Sequence, residues 1–295
     1  MPRRVILWGY GTEYQKIKDR LRAYHDSGKL RILGITATNP PKQSLLDGWA
    51  VIRPEEISTL DYDLILICNL FHYKEITQYI LRVLGADRRR LMPSWVIDDD
   101  ESIEDYQRIV ESRISILSNN CWGGVLSSGL GLEHLSPTKN CWFLDPDYFK
   151  LLKAPEHYFF DCDPVFRGWM PGGDERQTRY PVLSLDDVLI FCNHDTDPDI
   201  AVQNWIRRRE KLNLDHVFVS YSPDSPEKEL AFSRLERYPK KLCIVPWEPQ
   251  CPCSIKAELM PEDKQWMNTV IRTAAPLSCV RYYSPLRLLL TGEHH

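Results

Sequence analysis

Short apolar runs alternate with segments of helical periodicity through the first hundred residues. Val5–Trp8, Leu30–Thr36 and Leu64–Cys68 are apolar runs of strand character. Tyr14–Tyr24 and Tyr73–Leu84 carry apolar residues at helical spacing. Such alternation is typical of a parallel sheet whose faces are covered by helices, so it predicts an α/β domain.

An acidic run separates this unit from the rest of the chain. Asp98 to Glu101 are four consecutive acidic residues, and apolar positions at helical spacing follow them. We therefore predict a first domain over residues 1–97, a linker and connecting helix over 98–112, and a second domain over 113–295. The length of 295 residues agrees with two domains of about 100–200 residues each.

The second half continues the alternation of strands and helices. Its predicted strands are Arg113–Ser118, Asp186–Cys192, His216–Ser220 and Lys241–Val245. One helix is predicted from Asp197 to about Leu212, and Phe232–Tyr238 is predicted to be part of another. The predicted fold class is α/β with two domains, a Rossmann-like parallel sheet followed by a three-layer α/β domain.

A Gly-Tyr-Gly sequence directly follows the first predicted strand. Gly9 and Gly11 allow a tight turn and leave amides at a helix N-terminus, where an anion is favoured. However, Tyr14 replaces the third glycine of the dinucleotide fingerprint, and no acidic residue follows the second strand. We expect no tight binding of NAD, and Gly9 and Gly11 are the cofactor-binding candidates. The opening resembles small Rossmann-like domains appended to sugar-modifying and polysaccharide enzymes.

Composition narrows the classes of partner. The chain is 43% hydrophobic and 26% charged, with a net charge of −4 and no basic stripe, which excludes a typical nucleic-acid-binding protein. No apolar run approaches the roughly 20 residues that span a bilayer, and the apolar run Val5–Trp8 is too short for the core of a signal peptide. A cytoplasmic location is therefore expected.

Neither the cysteines nor the acidic pairs predict a metal site. Nine cysteines, several of them in apolar runs, are typical of reduced thiols in a cytosolic core. Cys251 and Cys253 form one pair without the second pair that zinc sites use. Three Asp-x-Asp sequences are also typical of turns or helix caps: Asp145 to Asp147, Asp161 to Asp163 and Asp195 to Asp197.

Polar and glycine residues at the end of the first strand of the second domain form a candidate ligand loop. Strand ends that lead into glycine loops are where α/β proteins bind ligands. The asparagines offer donors and acceptors, the indole offers a flat face, and the glycines allow close approach. The candidate substrate-binding residues in this loop are Asn119, Asn120, Trp122, Gly123 and Gly124.

A histidine and an arginine cluster provide further candidates. His194 follows an apolar strand and can act as a general base. Arg207 or Arg208 can grip a diphosphate with two parallel hydrogen bonds, although basic residues in a last helical turn also oppose the helix dipole. Trp205, on the same predicted helix, is a further candidate for substrate binding. We predict that His194 and the loop of residues 119–124 line one pocket.

Several motifs of residues 113–246 occur together in one order. They are Ser118 to Gly124, Leu130 to Leu132, Ser136 to Thr138, Tyr180 to Val182, His194, and the segment from Ala201 through Trp205, Arg207, Arg208, Leu212 and Asn213 to Val217–Val219. In these motifs the chain resembles a bacterial family of unknown function whose members are commonly described as exopolysaccharide biosynthesis proteins. A tyrosine commonly follows the histidine in that family, whereas Asp195 stands there in this chain.

The resemblance implies a role in surface-polysaccharide assembly, as a transferase that uses a nucleotide sugar as donor. A second hypothesis is a cysteine-dependent hydrolase or acyltransferase, with Cys121 as nucleophile, His194 as base and loop amides as oxyanion donors. A third is a noncatalytic nucleotide- or sugar-binding protein. The expected partner is a small phosphate-bearing ligand or a sugar, and the chain either acts alone or forms a homo-oligomer.

Overall fold

A computed structural model describes residues 2–97, 102–174, 177–263 and 265–294 of the chain. It divides into two compact units, Met1–Glu111 and Ser112–His295. Both units contain parallel sheets and helices, so the predicted two-domain α/β class is confirmed. The acidic run at 98–101, predicted as the joint, lies outside the described residues.

The first unit is built on a four-stranded parallel sheet. The strands of this unit are β1 (Arg3–Trp8), β2 (Leu30–Thr36), β3 (Leu45–Leu46), β4 (Trp49–Ala50), β5 (Leu64–Ile67) and β6 (Leu91–Pro93). Its helices are α1 (Thr12–Asp26), α2 (Tyr73–Val83) and α3 (Ser102–Ser112), the last ending at the first residue of the second unit. The sheet order is β2-β1-β5-β6, while β3 and β4 form a small antiparallel ribbon.

The central strands of this sheet are buried on both faces. All four residues of β5 are buried, as are the last four of β1. A strand covered on both faces reads as a continuous apolar run, which is why the sequence identified these strands. The core on one side includes Trp8, Ile65 and Ile80.

The second unit contains a four-stranded sheet and a three-stranded sheet. Its strands are β7 (Ser115–Ser118), β8 (Val165–Asp174), β9 (Gln177–Leu185), β10 (Val188–Phe191), β11 (Val217–Tyr221), β12 (Lys241–Val245) and β13 (Ser254–Lys256). Its helices are α4 (Trp122–Gly129), α5 (Asp145–Lys153), α6 (Pro198–Arg209), α7 (Pro226–Ser233), α8 (Trp266–Arg272) and α9 (Pro285–Thr291).

A parallel sheet of order β13-β12-β11-β7 positions the candidate loop. Neighbouring strands β7 and β11 run in the same direction, with Ser118 opposite Ser220. Their carboxyl ends therefore lie side by side, and the residues after them, Asn119 and Ser222, come together. This edge is where open α/β sheets place ligands.

The second sheet is antiparallel and was not predicted. Strands β8, β9 and β10 pair in the order β10-β9-β8. The strand that precedes His194 is thus β10 of this sheet, so His194 does not follow a strand that neighbours β7. An antiparallel bridge between Trp142 and Phe191, with N–H···O distances of 3.0 and 3.1 Å, ties the end of β10 to the segment after α4.

The helix predicted around Phe232–Tyr238 lies earlier in the chain. Helix α7 covers Pro226–Ser233, with Ser225 at its N-cap and Pro226 in its first turn. Proline fits a first helical turn because its missing N–H would have no intrahelical partner there.

Every helix within the described ranges is either too short or too polar to cross a membrane.

Candidate active site

A cavity of about 630 Å³ opens at the carboxyl ends of β7 and β11. Four groups of residues line it: those after β7, those after β11, one residue after β10, and parts of α5, α7 and α8 with the segment before α5. The lining residues are Asn119, Asn120, Cys121, Trp142, Phe143, Leu144, Asp145, Pro146, Asn193, Ser222, Pro223, Asp224, Lys228, Trp266, Met267 and Ile271.

The two asparagines after β7 hold the floor of the cavity in place. Asn119 Oδ1 accepts hydrogen bonds from Ser222 N at 3.2 Å and from Asn120 Nδ2 at 3.0 Å. Asn120 Oδ1 accepts the backbone N–H of Trp122 at 2.8 Å, which satisfies one amide at the start of α4. Both side chains are buried. The asparagines thus link two strand ends and fix the turn that carries Cys121.

Cys121, which lines the cavity, forms a close pair with His194, which is not among the lining residues. Cys121 is the N-cap residue of α4, and its Sγ lies 3.1 Å from Nε2 of His194. The thiol is half-buried, whereas the imidazole is exposed. Burial raises the pKa of Cys121 to about 11, with a smaller contribution from nearby Cys141, so the thiol is protonated at neutral pH.

Close packing of α4 on β7 requires a glycine at position 123, whereas Gly124 faces the segment around Lys139. A Cβ on Gly123 would lie 2.9 Å from Cγ2 of Ile116 and 3.2 Å from Cβ of Ser118. A Cβ on Gly124 would lie 3.2 Å from Cγ of Lys139. Both glycines are in the first turn of the helix, where amides lack intrahelical acceptors and the dipole favours negative charge.

Two tryptophans predicted to contact substrate lie in the core instead. Trp122 is fully buried, donates from Nε1 to Thr273 Oγ1 at 3.0 Å, and stacks against Phe218. Trp205 is also buried and stacks on Phe159. Neither indole lines the cavity, because each faces the interior of the unit from its helix.

The two arginines predicted to bind a diphosphate also lie away from the cavity lining. Arg208 Nη1 donates to the carbonyl oxygen of Lys139 at 2.7 Å. Arg207 Nη2 donates to Oδ1 of Asn204 on its own helix at 2.8 Å. Both side chains therefore stabilise local structure at the C-terminal end of α6.

A lysine and two aspartates form the charged part of the cavity, and sequence reasoning missed them as a site. Lys228 Nζ lies 2.7 Å from Oδ2 of Asp145 and 2.7 Å from Oδ2 of Asp224. Their hydrogen bonds, that of Asp145 first, raise the pKa of Lys228. Asp145 stood out only as part of an Asp-Pro-Asp turn, and nothing in the sequence marked Lys228.

Aromatic side chains form the walls of the cavity. Trp142 stacks on Phe191 with ring centroids 3.9 Å apart and planes 14° apart. Trp266 and Met267, at the start of α8, belong to a segment that sequence analysis did not assign. The side of the cavity formed by the residues after β11 could have been predicted, because the polar sequence Ser222-Pro223-Asp224 follows an apolar strand.

Gly9 and Gly11 lie at the carboxyl end of β1 in the first unit. Gly9 has φ +101°, and a Cβ there would lie 3.2 Å from the carbonyl oxygen of Cys68. Gly11 is the N-cap of α1, and its Cβ would meet nothing within 4 Å. Backbone conformation thus accounts for Gly9, while Gly11 faces open space.

A second cysteine–histidine pair lies outside the cavity. Cys162 Sγ is 3.4 Å from Nε2 of His157, at the end of a short π-helix. Among the described residues, no three His, Cys, Asp or Glu side chains are arranged to hold a metal ion.

The chain belongs to the family described as domain of unknown function DUF1919, whose model matches residues 94–270. The match contains Cys121, His194 and nearly all of the cavity lining. Residues 1–92 match the model described as C2185-like, N-terminal. No curated protein matches the chain.

Proposed function

We propose that the second unit is a cysteine-dependent hydrolase or acyltransferase. The observation that carries this proposal is the 3.1 Å separation of Cys121 Sγ and His194 Nε2 at a 630 Å³ cavity. A nucleophile within hydrogen-bond reach of a base, next to space for a substrate, is the arrangement that covalent acyl transfer needs.

The chemistry proceeds through a thioester. His194 takes the thiol proton as the sulfur of Cys121 attacks the acyl carbon, and the bond from that carbon to the leaving oxygen or nitrogen breaks. The leaving group takes the proton from His194. Water or an acceptor hydroxyl, deprotonated by His194, then attacks the thioester, and the thiol is restored.

The start of α4 suits the negative charge that develops on the acyl oxygen. The amides of Gly123 and Gly124 lie in the first helical turn, two and three residues after the nucleophile. Such amides stabilise an oxyanion without reorganisation during the reaction. Because the pKa of Cys121 is raised, the mechanism uses proton transfer to His194 during attack.

A nucleotide-sugar transferase acting in exopolysaccharide assembly is the second candidate. It is supported by a neighbouring cavity of about 390 Å³ that shares Asp145 and Lys228 with the first and is also lined by Lys150 and Lys153. Lysines bind phosphate groups as point charges. The resemblance to exopolysaccharide biosynthesis proteins supports the polysaccharide setting of either reaction.

Turnover of p-nitrophenyl acetate tests the cysteine mechanism. We expect the wild-type protein to release p-nitrophenol with a transient acetyl group on the Cys121 peptide, detected by mass spectrometry. Cys121→Ser and His194→Ala should each lose this turnover. Cys162→Ser is the matched control, because Cys162 also contacts a histidine but lies outside the cavity. Unchanged turnover in Cys121→Ser, with binding of UDP-glucose, would favour the sugar transferase.

A further inference from the structure

The cavity beside Cys121 has flat apolar walls. Trp142 is held against Phe191 by ring stacking and by the bridge between the two backbones. Phe143, Trp266 and Met267 extend the apolar surface. Binding sites for small molecules are mostly apolar, with a few placed polar groups that fix the orientation of the ligand. These walls therefore suit a ligand with at least one apolar face.

The charged groups of the lining carry a surplus of hydrogen-bond acceptors. Asp145 and Asp224 share the single ammonium group of Lys228. An ionised carboxylate only accepts hydrogen bonds, so the remaining oxygens favour hydroxyl donors and repel phosphate. Asp224 is 70% exposed in its side chain, so its carboxylate is accessible at the rim.

Three lining residues have buried polar atoms without a hydrogen-bond partner among the described residues. They are Asn193 Oδ1, Ser222 Oγ and Trp266 Nε1. A buried polar group without a partner is destabilising. A bound ligand that offers a hydrogen bond removes this cost, either directly or after a small rotation of the side chain toward the ligand. The three atoms include a donor, an acceptor and a hydroxyl that is both.

Apolar faces combined with a rim of hydroxyl groups are the property of a sugar ring. One face of a pyranose presents C–H groups to an aromatic side chain, and its edge presents hydroxyls to carboxylates and amides. We infer that the substrate of Cys121 is an acylated sugar, whose ring lies between the aromatic walls and whose hydroxyls bond to Asp145 and Asp224. This inference rests on the proposed cysteine mechanism and names its substrate class.

The reaction then transfers the acyl group of a sugar ester or amide to Cys121. The carbon–oxygen or carbon–nitrogen bond to the sugar breaks, and the sugar takes the proton from His194. Water releases the acid, or a second sugar hydroxyl receives the acyl group. The carboxylates bind the ring and take no part in bond breaking.

Substrate selectivity of the full-length protein tests the inference. The probes are mono-O-acetylated methyl glucosides, n-hexyl acetate and p-nitrophenyl acetate. We expect kcat/KM for the acetylated glucosides to exceed that for hexyl acetate. Asp224→Asn should lower the ratio of kcat/KM for the glucosides to that for p-nitrophenyl acetate by about tenfold, the effect of one hydrogen bond to a charged group. Asp215→Asn, an exposed carboxylate away from the cavity, is the control and should leave the ratio unchanged.

The outcomes separate this inference from the proposed mechanism. Turnover of p-nitrophenyl acetate through Cys121 without preference for the glucosides would overturn the sugar inference alone. Turnover that survives Cys121→Ser would overturn the mechanism. In that case, a change in tryptophan fluorescence on addition of methyl glucoside still tests sugar binding. If inorganic diphosphate prevents this change by competing for the cavity, the result would count against a site for a neutral sugar ring.

Discussion

In the proposed mechanism, the thiol of Cys121 depends on its partner His194 and not on its own acidity. Burial raises its pKa to about 11, so little thiolate forms at neutral pH. Nε2 of His194, at 3.1 Å, can accept the proton when an electrophile arrives. In the proposed mechanism, the reactivity of this cysteine therefore depends on a neighbour 73 residues away in the sequence.

Alkylation of Cys121 should show this dependence through its pH profile. In His194→Ala, we expect the iodoacetamide rate to rise about tenfold per pH unit up to about pH 10, because only the thiolate reacts. The wild-type rate should be higher at neutral pH and rise less steeply. The measurement is the rate of carbamidomethylation of the Cys121 peptide by mass spectrometry. Identical profiles for the two proteins would show that His194 does not assist the thiol.

Gly123 should be intolerant of any side chain. Its Cβ would lie 2.9 Å from Cγ2 of Ile116 and 3.3 Å from that residue's carbonyl oxygen, so α4 would have to move away from β7. We expect Gly123→Ala to lower the free energy of unfolding by about 1–3 kcal/mol, the usual cost of overpacking. Gly124→Ala is the control, since the nearest atom to its Cβ would be Cγ of the flexible Lys139 side chain at 3.2 Å, and the atoms of Asn140 would lie 3.5 Å away or farther. Urea unfolding of both variants provides the comparison, and equal losses would contradict this explanation.

Sequence reasoning could identify the residues that follow strands but not the direction of helical side chains. Asn119, Asn120 and Cys121 come directly after a buried strand, and the strand end predicts a ligand site. Trp122 begins a helix, and its orientation depends on how α4 packs on the sheet. Arg208 likewise bonds to a carbonyl that is 69 residues away, which no local pattern reveals.

Helix α7 connects the charged part of the cavity to the segment after β12. Glu229, fully buried on this helix, accepts Trp247 Nε1 at 2.6 Å and Gln250 N at 2.7 Å. Burial opposes its ionisation, but these hydrogen bonds, that of Trp247 foremost, lower its pKa. Lys228 precedes Glu229 on the helix, so the bonds that anchor α7 also hold one wall of the cavity.

Glu229→Gln should weaken this connection. We expect the free energy of unfolding to fall by about 1–3 kcal/mol at neutral pH, because the amide N–H₂ of the glutamine would face a hydrogen-bond donor, Trp247 Nε1 or Gln250 N. The folded carboxyl has a pKa below its ordinary 4.5, so its contribution is present above pH 4.5 and is lost as the pH falls through the folded pKa. The difference between variant and wild type should therefore shrink in acid. Urea unfolding at several pH values measures this difference, and Glu236→Gln, at an exposed position, is the control. A difference that does not change with pH would count against an ionised Glu229.

The parallel strands were predictable as elements, whereas the antiparallel hairpin was not. Strands β2 and β12 have the predicted bounds, since each is a short apolar run between polar segments. Strand β8 contains Gly168 and Pro171, both of which weaken a strand pattern. The pairing of β10 with β9 depends on tertiary contacts, so the strand before His194 was assigned to the wrong kind of sheet.

Buried cysteine thiols should make the stability of both units fall in alkali. Burial raises the pKa of Cys68 to about 12 in the first unit and that of Cys279 to about 12 in the second. In the unfolded chain these thiols ionise near their ordinary value of 9.0. Above that pH the unfolded state loses protons that the folded state retains, so stability falls as the pH rises.

We expect the urea midpoint to fall between about pH 8 and about pH 10 for both units. Cys279→Ala should make this decline shallower in the second unit, because one of the groups that ionises only on unfolding is gone. Circular dichroism across the titration, compared with Cys251→Ala at a half-buried position, gives the measurement. A midpoint that stays constant over this range would contradict the raised pKa values.

The two members of the cysteine–histidine pair belong to different sheets, and this has a consequence during biosynthesis. Cys121 follows β7 of the parallel sheet, while His194 follows β10 of the antiparallel one. On the ribosome, Cys121 is made 73 residues before its partner. A nascent chain therefore carries a thiol without its histidine until β10 has been synthesised and docked, so the nucleophile of the proposed mechanism would be complete only in the finished fold.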